Sequence, residues 1–167
     1  DYALIERIKR KLHFESRKYL KELLEEYNIR KMLNEIVSIY DEKTHKGLLR
    51  HLVTKVGFTT GEVMIVLVAN GRKLPHLNEL ASVLEENIPG FKTLVVNVNT
   101  QKTNVILGKE NIVAYGDGII RDYIGELVFE ISPLSFFQVN PLQTEVLYNK
   151  ALEYANLGEN DTVFDIY

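Results

Sequence analysis

The apolar positions divide the chain into three stretches with different periods. Leu4, Ile5, Ile8 and Leu12 recur at three-and-four spacing, and so do Tyr19, Leu20, Leu23, Leu24 and Tyr27. That spacing predicts helix over about the first 28 residues, with a break near residues 13–16, where Ser16 can cap a second segment, and a stop at Asn28. From Ile36 the pattern changes to strands. Residues 36–40 are β-branched and aromatic, and a polar turn follows over 41–47. Apolar runs at 48–56 and 63–68 flank a Gly57…Gly61 connection, the pattern of a hairpin. Pro75 opens a helix to Asn87, closed by Pro89-Gly90. Further strands are expected at 93–98, 105–107, 112–115, 119–124 and 127–131, punctuated by Gly108, Gly116, Gly118 and Gly125.

The last third reads differently. Asn140 can cap a helix, Pro141 suits its first turn, and Gln143 can complete a capping box, giving a helix to about Ala155. After a turn at 157–161, residues 162–167 begin a strand. Helix, tight turn and apolar strand form the opening of an α/β unit, whose ligands bind beyond the carboxyl ends of the strands. A final strand that simply closes a domain is the alternative.

Composition narrows the classes. The length of 167 residues suits one domain, or one with part of a second. No apolar run approaches the roughly 20 residues that span a bilayer, and residues 1–12 lack the apolar region of a secretory signal. With no cysteine, disulfides, thiolate zinc, iron–sulfur clusters and a cysteine nucleophile are excluded within this chain, and a cytoplasmic setting is compatible. The net charge of −3 is uneven: residues 1–50 hold 12 Lys/Arg against 9 Asp/Glu, and residues 51–167 hold 8 against 14. The N-terminal third could supply a basic stripe for phosphates, but only weakly, and a solvated helix face is the plainer reading.

No complete catalytic constellation is present. The four histidines are scattered without metal-ligand spacing. Three polar clusters stand out. Arg50-His51 interrupts an apolar strand, either as a buried pair or lining a groove. The amide-rich run 97–104, with Asn99, Thr103 and Asn104, can read RNA edges or 2′-hydroxyls, or build an ordinary turn. Phe136-Phe137-Gln138 joins a strand to a capped helix; the rings can stack a base or belong to the core.

In this order the clusters resemble the 23S rRNA (uracil-5-)-methyltransferases and their tRNA relatives. The resemblance is carried by Gly47-Leu48-Leu49-Arg50-His51-Leu52-Val53, Thr60-Gly61-Glu62, Lys102-Thr103-Asn104-Val105-Ile106-Leu107-Gly108, Ser132-Pro133-Leu134-Ser135-Phe136-Phe137-Gln138-Val139-Asn140-Pro141 and Val163-Phe164-Asp165-Ile166-Tyr167. It covers about residues 36–167, and the Ser-Phe-Phe-Gln-Val-Asn-Pro run and the closing Asp-Ile-Tyr are its most specific pieces.

The resemblance implies S-adenosylmethionine as cofactor, contacted by Gln138 and Tyr167. It implies Phe136 and Phe137 as a wall near cofactor or target base, with Arg50, Asn99, Thr103 and Asn104 as RNA contacts. The family's Cys-Gly-x-Gly loop, nucleophilic cysteine and catalytic glutamate do not occur here, so the segment alone is expected to be inactive. In the family a thiolate attacks uracil C6 so that C5 becomes electron-rich enough to take the methyl group. Ala3 stands where many members carry the last cysteine of an iron–sulfur cluster, so either this member lacks the cluster, the favoured reading, or the resemblance is misaligned at this end.

The expected fold is α+β. A central, mostly antiparallel domain with flanking helices should span 1–131, and the first helix and strand of a Rossmann-like methyltransferase domain should span 132–167. The expected partner is RNA, 23S rRNA ahead of tRNA, with no membrane. A non-catalytic RNA-binding module and a structural interaction domain are the rivals. An exposed sheet edge near Tyr167 could also pair two copies.

Overall fold

The computed structural model describes residues 37–164. The N-terminal helical stretch, and the strand residues Asp165, Ile166 and Tyr167, lie outside the described residues. The elements are β1 (Leu49–Val56), β2 (Val63–Ala69), helix α1 (Leu77–Asn87), β3 (Phe91–Val98), β4 (Glu110–Tyr115), β5 (Ile120–Ile124), β6 (Leu127–Ile131) and helix α2 (Pro141–Ala155).

Strands β1 to β4 form one sheet in sequence order, and β5–β6 form a separate two-stranded sheet. Only β2–β3 is parallel, joined by the α1 crossover; the other three pairings are antiparallel. The fold is therefore α+β and mostly antiparallel, as the sequence indicates. All seven residues of β2 are buried. A strand covered on both faces must be apolar throughout, which is why Val63–Ala69 reads as a continuous run rather than an alternation. One face of the sheet (Leu49, Ile65, Leu67, Leu94, Val96) packs on Leu80, Ala81 and Leu84 of α1. The other face (Met64, Val66, Val95) is covered by Ile120 and Ile131 of the β5–β6 hairpin, with Val53, Leu107 and Phe137 at its margin.

The hairpin is stapled to the β1–β2 loop by a buried carboxylate. Asp122, 1% exposed, accepts from Phe58 N at 2.6 Å and Thr59 N at 2.8 Å. Glu62 accepts from Arg121 N at 2.7 Å, and the Thr60 hydroxyl donates to Arg121 O at 2.6 Å. Gly57 is required here, because a Cβ would lie 2.8 Å from Arg121 O.

Two expected strands are not realised, and a third is described only in part. Of the described residues 37–40 in the first, only Ile39 bridges Leu49, because the turn at 41–46 folds back at once. Gly47 (φ 108°) brings the returning chain against Ile39, where a Cβ would meet the carbonyl oxygen at 2.1 Å. Residues 105–107 form no strand. Asn99 Nδ2 donates to Val105 O at 2.7 Å and Ile106 O at 3.0 Å, which diverts both carbonyls from a ladder. Residues 162–164 pair with no strand among the described residues. The α2 start is as expected: the Asn140 side chain accepts from Gln143 N, and Pro141 lies in the first turn.

Candidate nucleic-acid interface

The candidate residues fall into two groups, one at an end of the large sheet and one on its hairpin-covered face. The first centres on Arg50, which is the extra residue of a β-bulge: Leu49 pairs with Ala69 and His51 with Val68. A bulge re-aims the side chain of its extra residue. The Arg50 side chain has no exposed surface. It donates to the carbonyls of Asn99 at 3.0 Å, Gln101 at 2.7 Å and Thr103 at 3.1 Å. Its guanidinium lies 4.4 Å from the Tyr40 ring centroid and 3.5 Å from Glu42. Nε is buried without a hydrogen-bond partner.

Arg50 and Asn99, expected as RNA contacts, are interior groups in this structure and shape the 99–108 loop. Every terminal nitrogen of Arg50 is spent on carbonyls. Asn99 is 3% exposed, and its Oδ1 accepts from Gln101 N at 3.2 Å. Asn97 repeats the device one turn of the ladder away, donating to Gly108 O and accepting from Gly108 N. What the loop presents to solvent is Gln101, Lys102, Thr103 and Asn104, all exposed. The Thr103 hydroxyl accepts from Val105 N at 3.1 Å and holds the tip.

The second group is the connection from β6 to α2. Ser132 and Ser135 bond to each other through their hydroxyls at 2.9 Å. Lys55 reaches across from β1 and donates to Ser132 O at 2.9 Å and Ser135 O at 2.7 Å. Partial burial pushes the Lys55 amine below its ordinary pKa, since desolvation disfavours the ammonium. The anchored turn sends the two phenylalanines in different directions. Phe137 packs into the face and against Phe129, ring centroids 5.8 Å apart. Phe136 is 81% exposed. Of the two rings expected as a wall, Phe136 is the more fully presented, and the half-buried Phe137 packs beneath it.

Gln138 follows, half-buried. Its side-chain amide bonds to no other described residue, so it fits a contact to a polar ligand such as S-adenosylmethionine. Tyr167, the other cofactor candidate, lies outside the described residues. The two groups approach through Leu107, which packs on the same face as Phe137. Sequence reasoning missed Lys55, Asp122 and Tyr40. A lysine at a core-facing position of β1, in phase with Val53, was the available sign for Lys55.

A shallow cleft of about 260 Å3, lined by Phe58, Thr59, Tyr123, Gly125, Pro141, Leu142 and Glu145, opens beside the start of α2. Among the described residues no group of three His, Asp or Glu could hold a metal ion. No helix among them is long and apolar enough to cross a membrane.

No protein-family model matches the chain. It is 56% identical over 150 residues to an uncharacterized RNA methyltransferase of Clostridium tetani, covering 90% of this chain and 31% of that protein. It is 54% identical over 140 residues to one of Caldanaerobacter subterraneus, covering 83% and 31%. Among solved structures it matches the Pyrococcus abyssi tRNA (uracil-54, C5)-methyltransferase in complex with S-adenosyl-L-homocysteine, with a TM-score of 0.56 and 29% identity, over 81% of this chain and 30% of that one. Over most of its length the chain is similar to part of proteins named RNA methyltransferases. It spans about a third of the length of the curated relatives it matches.

Proposed function

We propose that this segment belongs to an enzyme that moves a methyl group from S-adenosylmethionine to C5 of a uridine in RNA, with 23S rRNA as the substrate. The observation that carries the reading is the likeness in both fold and sequence to a uracil-C5 methyltransferase crystallised with the demethylated cofactor. The Ser-Phe-Phe-Gln-Val-Asn-Pro form of the connection favours the ribosomal over the transfer-RNA branch.

S-Adenosylmethionine, when bound, supplies an electrophilic methyl group. The contribution of this chain is placement. Lys55 fixes the turn at Ser132–Ser135, Phe137 anchors the next residue in the core, and Phe136 is left in solvent as a flat apolar surface on which a base stacks. Gln138 offers one amide to the cofactor. Residues 1–131 act as the RNA-holding central domain, and residues 132–167 open the methyltransferase domain. The protein works in the cytoplasm, where its RNA is made.

The test is transfer of labelled methyl groups by the intact protein to 23S rRNA and tRNA, each lacking its uridine methylations. Label at uracil C5 in ribosomal RNA is expected. Label confined to tRNA moves the protein to the other branch. No label in either, with protein folded and cofactor bound, leaves an RNA-binding module and overturns the catalytic reading.

A further inference from the structure

The start of β1 and the ends of β2 and β3 lie together, because β1 runs antiparallel to β2 and β2 runs parallel to β3. Three connections meet there, at residues 41–50, 70–73 and 99–110. They are knitted into one surface: Asn70 Nδ2 donates to Gly47 O at 3.1 Å, Arg50 holds the third connection, and Arg72 pairs with Glu110 at 2.7 Å.

Charge is segregated onto this end. Its three connections carry seven Lys/Arg against three Asp/Glu, and the rest of the described chain carries four against twelve. The three carboxylates are already occupied. Asp41 accepts from Lys43 N at 2.7 Å, Glu42 faces Arg50, and Glu110 faces Arg72. Lys43, Lys46, Lys73, Lys102 and Lys109 are all exposed and have no carboxylate partner among the described residues. Among the described residues, this positive patch stands against an acidic remainder, an arrangement that attracts a polyanion to this end.

We propose that this end of the sheet binds the phosphate backbone of the RNA substrate, as a surface distinct from the Phe136–Gln138 connection. The occupant follows from charge complementarity and rests on the reading of the protein as an RNA methyltransferase. Arg50 has a defined part in it: its side chain is buried and holds the carbonyls of Asn99, Gln101 and Thr103, which fixes the loop that carries Lys102. Phosphate contacts position a nucleic acid without reading its sequence. The patch would hold the RNA in register while a base is offered to Phe136.

The test uses the intact protein and a fluorescently labelled RNA hairpin, with binding followed by anisotropy between about 50 and about 200 mM salt. The triple variant Lys73→Ala/Lys102→Ala/Lys109→Ala should bind more than tenfold more weakly at the low-salt end. Its slope of log affinity against log salt should shrink by about two, at roughly 0.7 per lost contact to single-stranded phosphate. The pair Lys92→Ala/Lys150→Ala, on the acidic remainder, should match the parent. A triple variant with the parental slope overturns the proposal, and so does an intact protein that binds no RNA. Methyl transfer is measured separately: a reduced slope without methylation sinks the catalytic reading alone, and methylation with an unchanged slope sinks the phosphate surface alone.

Discussion

Arg50 and Asn99 hold the same loop from opposite ends of a short relay: Arg50 donates to the Asn99 carbonyl, and the Asn99 amide donates onward to the carbonyls of Val105 and Ile106. Neither side chain has surface left for a partner. Each converts a buried polar group into loop shape, and the loop carries the exposed groups.

Arg50→Ala should destabilise the chain by about 2–4 kcal/mol, because three carbonyls and Glu42 lose a fully enclosed partner. Arg50→Lys should recover only part of this, since a single ammonium cannot reproduce the planar fork. The urea midpoints of the three proteins check both statements.

Asn99→Ala should cost about 1–3 kcal/mol and free the 100–108 loop. Trypsin cuts after Lys102 only when that loop opens. Cleavage there should speed up in Asn99→Ala and Arg50→Ala, and stay at the parental rate in Thr54→Ala, an exposed change on β1 away from the relay.

Phe136→Ala and Phe137→Ala should separate function from stability. Phe136 is almost wholly in solvent, so its loss should change unfolding free energy by less than about 0.5 kcal/mol while lowering methyl transfer by the intact protein. Phe137, packed on Phe129 and the core, should cost about 2–3 kcal/mol. Parallel melting curves and methylation rates test the split. Equal stability losses would overturn it.

Lys55 gives a pH signature. Its folded pKa lies below the ordinary lysine value because burial penalises the ammonium. Between the depressed and the ordinary value the unfolded chain binds the proton that the folded chain has released, so stability rises with pH across that alkaline window and is lost again as pH falls through it. Lys55→Met removes the titrating group. The difference in urea midpoint between parent and variant should therefore change with pH in this window and stay flat near neutrality.

The elements that the sequence discloses are those whose signals are local. Gly57 and Gly61 bracket the β1–β2 connection, Pro75 and Pro89 bracket α1, and Asn140-Pro141 starts α2, each through its own backbone geometry. The features it conceals depend on distant partners. Nothing near Arg50 announces a bulge, because the carbonyls that capture it lie some fifty positions away. Residues 105–107 carry strand-forming side chains, yet two asparagines from β3 and its end compete successfully for the backbone groups around them. Phe136 and Phe137 look equivalent as a pair, and only the turn clamped by Lys55 decides which one is buried. The parallel β2–β3 pairing, by contrast, has a local sign in the helix signals that separate the two runs, since parallel neighbours need a crossover connection.

The seven buried residues of β2 set a condition on how the protein is made. Val63–Ala69 contains no charge, proline or glycine. On a growing chain it is a sticky ribbon, able to pair with any other unfinished strand. β1 precedes it and can shield one edge at once, but the other edge waits until Phe91–Val98 has left the ribosome and α1 has swung it into place. Glu62 just before the run and Arg72 shortly after it act as charged gatekeepers during that interval. The same strand that gives the finished domain its centre is the reason its synthesis must be brisk or chaperoned.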